Sequence, residues 1–275
     1  MNDPVIVSIG LHWLAVIVYS IAAVINVFGV IFEKKSFERI SYLIIAVGLL
    51  MHGIAILYWW YITGHGPYMV KYEVLSSSAW VSLALFLVFM KIFPKIKSLS
   101  IFIFPSTFLL IALGLFFNPE IKKVPPTFNS IWLVLHVSFY KIALGTLLIA
   151  LAFSFFFILQ ERSNIRWLAR LPAKNIVDIY AYRFAGFGFT FWGIAMLSGS
   201  IWAYQSWGRF WAWDPIESWS LITWIFFGLY LHLRRFFGWA GEKASYLYIF
   251  CFLLSVFSLF FVPLFDTTIH GEYFS

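Results

Sequence analysis

Apolar residues along the chain fall into long blocks separated by short polar runs. A block of roughly 20 apolar residues is long enough to cross the hydrocarbon core of a bilayer as a helix. Lipid offers backbone N–H and C=O groups no partner, so such blocks must be helical. The pattern predicts eight spans, at about 6–32, 40–62, 78–93, 99–117, 130–159, 184–205, 216–233 and 245–265. The fold class is therefore all-α, a polytopic integral membrane protein. The stretch 64–77 and the proline-rich stretch 118–129 read as connectors. The segment 163–183 is too polar to span. Its Trp167, Leu168 and Leu171 alternate with Arg166 and Arg170, which predicts a short interfacial helix broken at Pro172. No internal repeat emerges. The chain reads as a single membrane domain, four N-terminal spans over 1–129 followed by a second part over 130–275.

Composition sharpens this picture. Of 275 residues, 62% are hydrophobic, 22% aromatic and only 11% charged, where a soluble domain carries about a quarter charged. The formal charge of +7 does not indicate a nucleic-acid partner, because the basic residues lie in short loops between apolar blocks. Alternate loops carry fourteen of the 19 lysines and arginines: Lys34, Lys35, Arg39, Lys91, Lys95, Lys97, Arg162, Arg166, Arg170, Lys174, Arg183, Arg234, Arg235 and Lys243. The positive-inside bias puts these in the cytoplasm and both termini outside. The single cysteine, Cys251, excludes an internal disulfide, a CxxC dithiol site and a covalent CxxCH heme in this chain. The start, Met1-Asn2-Asp3-Pro4, lacks the basic region of a cleavable signal, so the first block is expected to stay as an anchor.

Six of the 14 tryptophans fall in the 26 residues from Gly199 to Trp224, around the connection of spans six and seven: Trp202, Trp207, Trp211, Trp213, Trp219 and Trp224. An aromatic belt at the membrane surface accounts for two or three of them. It does not account for Trp211 and Trp213 in a tight loop beside Gly208. A flat, π-rich ligand such as a porphyrin, stacked on indole faces, accounts for the cluster; composition alone leaves both readings open. Asp214-Pro215-Ile216-Glu217 has the form of a helix start, with an Asp N-cap, Pro at the first position and a carboxylate three residues on. Capping and ligand contact by Asp214 and Glu217 can coexist.

Histidine inside a membrane protein is costly and marks function, and imidazole is a common axial ligand of heme iron. His136, near the outer end of span five, and His270, beyond span eight, lie on the same face as the tryptophan loop. That placement suits a heme ligated from both sides; interfacial histidines without a role are the plain alternative. His232 lies roughly 25 Å along span seven from Pro215 at the helical rise, near the cytoplasmic side. Gly228, one turn away, is expected to leave room for a macrocycle beside it. Arg234 and Arg235 follow the positive-inside bias or meet propionates. His52, at mid-depth in span two, is the intrachain partner the sequence offers for His232; His12 and His65 rank lower. Lys141 either snorkels to the surface or meets a propionate.

The stretch from Trp207 through Trp224, with Trp211-Ala-Trp213-Asp214-Pro215 at its heart, followed by Tyr230-Leu-His232-Leu-Arg234, resembles the WWD signature of heme-handling proteins of cytochrome c maturation. Within that group it most resembles the CcsA/ResC branch rather than the CcmC-type heme chaperone. The resemblance covers about 132–270, and the first four spans carry little of it. It implies that His136 and His270 are axial ligands of an external heme b held by the tryptophan loop, which comprises Trp207, Gly208, Trp211, Trp213, Asp214, Glu217 and Trp219. It also implies that His232 meets heme within the membrane, opposite a residue of a CcsB/ResB-like companion subunit and not opposite His52. Ile216 stands where the family often has lysine.

The implied function is that of a heme conduit and holocytochrome c synthase, acting as a subunit of a complex. Two reduced thiols of an apocytochrome c CxxCH segment, kept reduced indirectly by a thioredoxin-like protein, would add to the heme vinyls. No residue is expected as a dedicated acid or base. The membrane expected is the bacterial inner membrane rather than a plastid thylakoid. Competing readings are a CcmC-type chaperone that passes heme to a separate ligase, an assembly protein without heme, and a solute transporter. The external clustering of the histidines, away from a midplane site, counts against a transporter.

Overall fold

The computed structural model describes residues 3–265, and among these every regular element is helical. Helix α1 spans Pro4–Ile31, α2 Lys35–Thr63 and α3 Lys71–Ile92. A 3-10 turn at Pro94–Leu99 leads into α4, Ser100–Gly114. Then follow α5 at Ile131–Arg162, α6 at Lys174–Trp207, α7 at Pro215–Phe236 and α8 at Gly241–Val256. Helix α8 continues through a π-helical turn, Phe257–Phe261, into a last short turn, Val262–Phe265. Eight helices are long and apolar enough to cross a membrane, as the hydropathy pattern predicts.

The chain divides into two compact units. One comprises the residues up to Val124 together with Ala169–Leu171, the other Pro125–Leu168 and the residues from Pro172 onward. In the first, α1 packs on α2 and α4, and α3 packs on α2 and α4. In the second, α5 packs along α6 and against α8, and α7 closes the ring by contacting α6 and α8.

Polar residues with partners inside the protein explain where the helices depart from the hydropathy reading. Helix α3 begins at Lys71, seven residues before the expected 78, within what reads as a connector. Its first turns carry Glu73, Ser76 and Ser77, which hydropathy scores as loop, yet all three are buried. Glu73 accepts from Trp59 Nε1 at 2.6 Å and from the Met69 amide at 2.7 Å, and Ser77 Oγ donates to the Glu73 carbonyl at 2.6 Å. The short helix expected within 163–183 and broken at Pro172 is present only as a 3-10 helix that ends before that proline. The chain makes a 3-10 turn at Arg166–Arg170 and then enters α6 at Lys174, ten residues before the expected start at 184. Asp178 makes that extension possible. It receives Arg234 Nη1 and Nη2 at 2.5 and 2.7 Å and the Gly241 amide at 2.9 Å, so its charge is matched within the unit. Arg234 thus serves the junction of α6, α7 and α8.

Removing one partner of a largely buried ion pair typically costs about 3–5 kcal/mol, because the other charge is left uncompensated. Arg234 and Asp178 side chains are only 8% and 13% exposed. Asp178→Ala is therefore expected to destabilise the protein by about 3 kcal/mol. Lys174→Ala, which breaks the exposed Lys174–Glu161 pair, should leave stability almost unchanged. Thermal unfolding of the two variants in detergent measures the contrast; equal midpoints would contradict it.

Candidate functional site

The aromatic loop is held by its own backbone contacts. Gly208 ends α6 in the left-handed region at φ 73°, its amide bonded to the Tyr204 carbonyl at 2.9 Å, a conformation that glycine adopts without a Cβ penalty. Six residues later Asp214 caps α7, with Oδ1 accepting from the Glu217 amide at 2.8 Å and Pro215 in the first turn. Glu217 reaches back: its Oε2 accepts from the amides of Ala212 at 2.6 Å and Trp213 at 2.9 Å. The two acids therefore set the course of the loop backbone. Their negative charge also sits at the N-terminus of α7, where the helix dipole favours it.

The clamp supports a strained residue. Trp213 has φ 60° and its indole is 72% exposed. A bulky side chain in the left-handed region is an outlier costing roughly 1–3 kcal/mol, and such strain clusters at ligand-binding sites. The Trp211 ring lies edge-on to Trp213, centroids 5.9 Å apart, and Trp211 Nε1 is buried with no hydrogen-bond partner among the described residues. Tyr204 and Phe210 stack at 4.3 Å across the same turn. The other tryptophans are fastened into the unit. Trp202 Nε1 donates to the Thr127 carbonyl at 2.8 Å, and its ring meets Trp207 at 5.0 Å. Trp219 packs against Phe257 of the π-helical turn at 4.8 Å, and Trp224 stacks on Phe189 at 4.6 Å.

His136 joins this assembly from α5. Its ring lies 6.3 Å from Trp202 and meets Tyr140 edge-on at 4.9 Å. Tyr140 is tied in turn to Ser220 of α7 at 2.6 Å, and Ser220 Oγ also accepts from Trp192 Nε1 of α6 at 3.1 Å. The decisive contact is His136 Nδ1 at 2.8 Å from the carbonyl of Ala195. A carbonyl only accepts, so Nδ1 carries a proton, and in the neutral ring the lone pair then belongs to Nε2. A backbone carbonyl thus fixes both the tautomer and the orientation of the ring.

The remaining expected residues lie in varied settings. His270 lies outside the described residues. His232 is exposed on α7, remote in sequence from the loop, with Phe236 at 4.8 Å and Phe237 at 5.7 Å. The space expected beside Gly228 is not open, because a Cβ there would meet the Phe189 ring at 3.3 Å. Lys141 is buried and does not snorkel. His52 is occupied within the first unit, by Tyr19 at 3.1 Å through Nδ1 and Ser76 at 2.8 Å through Nε2. His12 Nδ1 lies 2.9 Å from the Ser8 carbonyl and 2.8 Å from Tyr72 Oη, and His65 Nδ1 donates to the Gly66 carbonyl at 2.8 Å. The sequence reading missed the Ala195 carbonyl, Tyr140 and Ser220. Backbone acceptors leave no mark in a sequence, whereas the small residues Ala195 and Gly199, one turn apart on α6, do.

Comparisons with known proteins place the chain in a family. The sequence profile of the "Cytochrome C assembly protein" family matches residues 68–270, and the chain belongs to that family. Within it the chain is of the CcsA type. It is 34% identical over 219 residues to "Cytochrome c biogenesis protein CcsA" of Chlamydomonas reinhardtii, covering 73% of this chain and 61% of that protein. It is 33% identical over 249 residues to the protein of the same name from Prochlorococcus marinus strain MIT 9301, covering 80% and 79%. The chain thus spans less than two thirds of the algal relative. Among solved structures, "Cytochrome c Heme Lyase CcmF" aligns over 100% of this chain and 49% of its own, with TM-score 0.68 and 14% identity, which is a likeness of fold.

The loop clamp is open to direct test. Hydrogen bonds to a charged acceptor contribute about 1.5–3 kcal/mol, so Glu217→Ala should raise the opening of 208–214 by about tenfold or more. Limited trypsin cleavage after Arg209 reads this, with Glu217→Gln expected between the variant and wild type. An unchanged cleavage rate would show that the carboxylate does not hold the loop.

Proposed function

We propose that this protein receives heme b, holds it at an external site between His136 and His270 against Trp207, Gly208, Trp211, Trp213, Asp214, Glu217 and Trp219, and presents it to apocytochrome c. In this reading it works with a CcsB/ResB-like subunit as a holocytochrome c synthase of the bacterial inner membrane. The termini and the tryptophan loop face outward, and 1–129 and 130–275 form one membrane domain. The observation that supports the reading is the His136 Nδ1 contact to the Ala195 carbonyl, which in the neutral ring leaves the lone pair on Nε2.

The chain's own residues contribute position and environment. His136 supplies one axial nitrogen at a fixed angle. The exposed indole of Trp213 offers an apolar face, while Glu217 and Asp214 act on the loop backbone. Thioether formation needs no dedicated acid or base in the chain. Each thiol adds across a vinyl group, a C–S bond replaces the S–H bond, and the hydrogen ends on the second vinyl carbon. Holding the reactants in register supplies the acceleration. A thioredoxin-like reductant keeps the CxxCH thiols reduced. Heme approaches by way of His232, whose exposure on α7 suits a partner-borne ligand opposite it.

His136→Ala and His270→Ala are each expected to abolish cytochrome c maturation, and added imidazole to restore part of it by filling the vacated axial position. Heme-stained cytochrome c in a reconstituted strain is the measurement, and normal maturation in both variants would refute the axial pair. His232→Ala should lower heme at the inner and outer positions alike, whereas His270→Ala should spare the inner heme. Pyridine-hemochrome quantification of each purified complex separates the two. Full external occupancy in His232→Ala would overturn the conduit.

A further inference from the structure

His136 does not keep its orientation alone, and the residue that shapes its seat carries no functional chemistry. Helix α6 presents Ala195 and, one turn later, Gly199 to α5. The Ala195 carbonyl takes the Nδ1 proton of His136 at 2.8 Å. A Cβ on Gly199 would collide with the imidazole itself, at Nδ1 and Cε1. The bare Cα of Gly199 is therefore one wall of the ring's seat, and the Tyr140 ring, 4.9 Å away on α5, is another. The ring atoms that a methyl at 199 would displace include the one engaged with Ala195. A ring shift that relieves the clash acts on the same nitrogen that holds that hydrogen bond.

We propose that Gly199 is a positioning residue for heme ligation: its missing side chain lets His136 seat against α6 with Nδ1 on the Ala195 carbonyl and Nε2 directed to iron. The inference rests on the reading of His136 as an axial ligand. It adds a residue that touches neither heme nor apocytochrome, yet sets the angle and tautomer of the ligand. Losing the partner that orients a metal-bound histidine typically costs about 10–100-fold in affinity or activity. A ligand misplaced by about 1 Å costs about as much.

The test compares Gly199→Ala with Gly193→Ala and His136→Ala in the complex purified with its partner subunit. Gly193 lies on the same helix, and a Cβ there is crowded at 3.1 Å by Trp224 Nε1, its three nearest neighbours all being atoms of Trp224 and none of His136. It therefore controls for crowding of α6 as such. Gly199→Ala is expected to lose the low-spin bis-histidine absorption of the external heme and to lower maturation by about tenfold or more, at membrane abundance equal to that of Gly193→Ala. Gly193→Ala should keep the wild-type spectrum. Imidazole should restore low-spin heme in His136→Ala, where a ring-sized space is vacated, and not in Gly199→Ala, where the displaced ring still fills it.

A wild-type spectrum and maturation in Gly199→Ala, with both lost in His136→Ala, would overturn the positioning role while leaving the ligand assignment standing. A wild-type spectrum in His136→Ala would overturn the ligand assignment and this inference with it. Equal losses of abundance in Gly199→Ala and Gly193→Ala would mean that α6 tolerates no added methyl, and would also overturn the specific role.

Discussion

Hydrocarbon supplies no water to satisfy a polar group, so a buried donor or acceptor without a partner of its own is costly. That constraint organises the interior. In the first unit Tyr19, His52 and Ser76 complete one another, and Glu73 draws in an indole N–H and a backbone amide. In the second, Ser220 gathers Tyr140 and Trp192, so that α5, α6 and α7 meet at one hydroxyl. Asp178 and Arg234 do the same where α6 and α7 approach α8. The same rule bears on His136, whose Nδ1 proton goes to the Ala195 carbonyl.

The number and class of the helices were legible from hydropathy because the spans are long and predominantly apolar. The starts of α3 and α6 were not. Hydropathy treats a buried serine or a paired aspartate as if it met solvent, so Ser76, Ser77 and Asp178 read as loop residues. Gly228 failed for a related reason. An absent side chain in one helix looks like space, but the space belongs to whichever neighbour reaches it first, and Phe189 does.

The site was legible in its chemistry and opaque in its mechanics. The density of indoles between Trp202 and Trp224 was plain, and Asp214-Pro215-Ile216-Glu217 carried the marks of a helix start. That the Glu217 carboxylate would turn back on the amides of Ala212 and Trp213 had no such mark, nor did the left-handed backbone of Trp213. Both are tertiary solutions to holding a large apolar face outward on a short loop. The indoles then divide by environment: Trp202, Trp219 and Trp224 are packed into helices, while Trp213 faces outward.

The π-helical turn at Phe257–Phe261 bears on how relatives should be compared. Such a turn accommodates one residue more than an α-helix of the same rise. A relative whose eighth helix is regular throughout needs a single-residue gap at this point. Without that gap every later position is matched to its neighbour, and a histidine counterpart to His270 would be counted as missing when it is only displaced by one. The gap belongs within Phe257–Phe261, the turn that begins where Trp219 packs on Phe257.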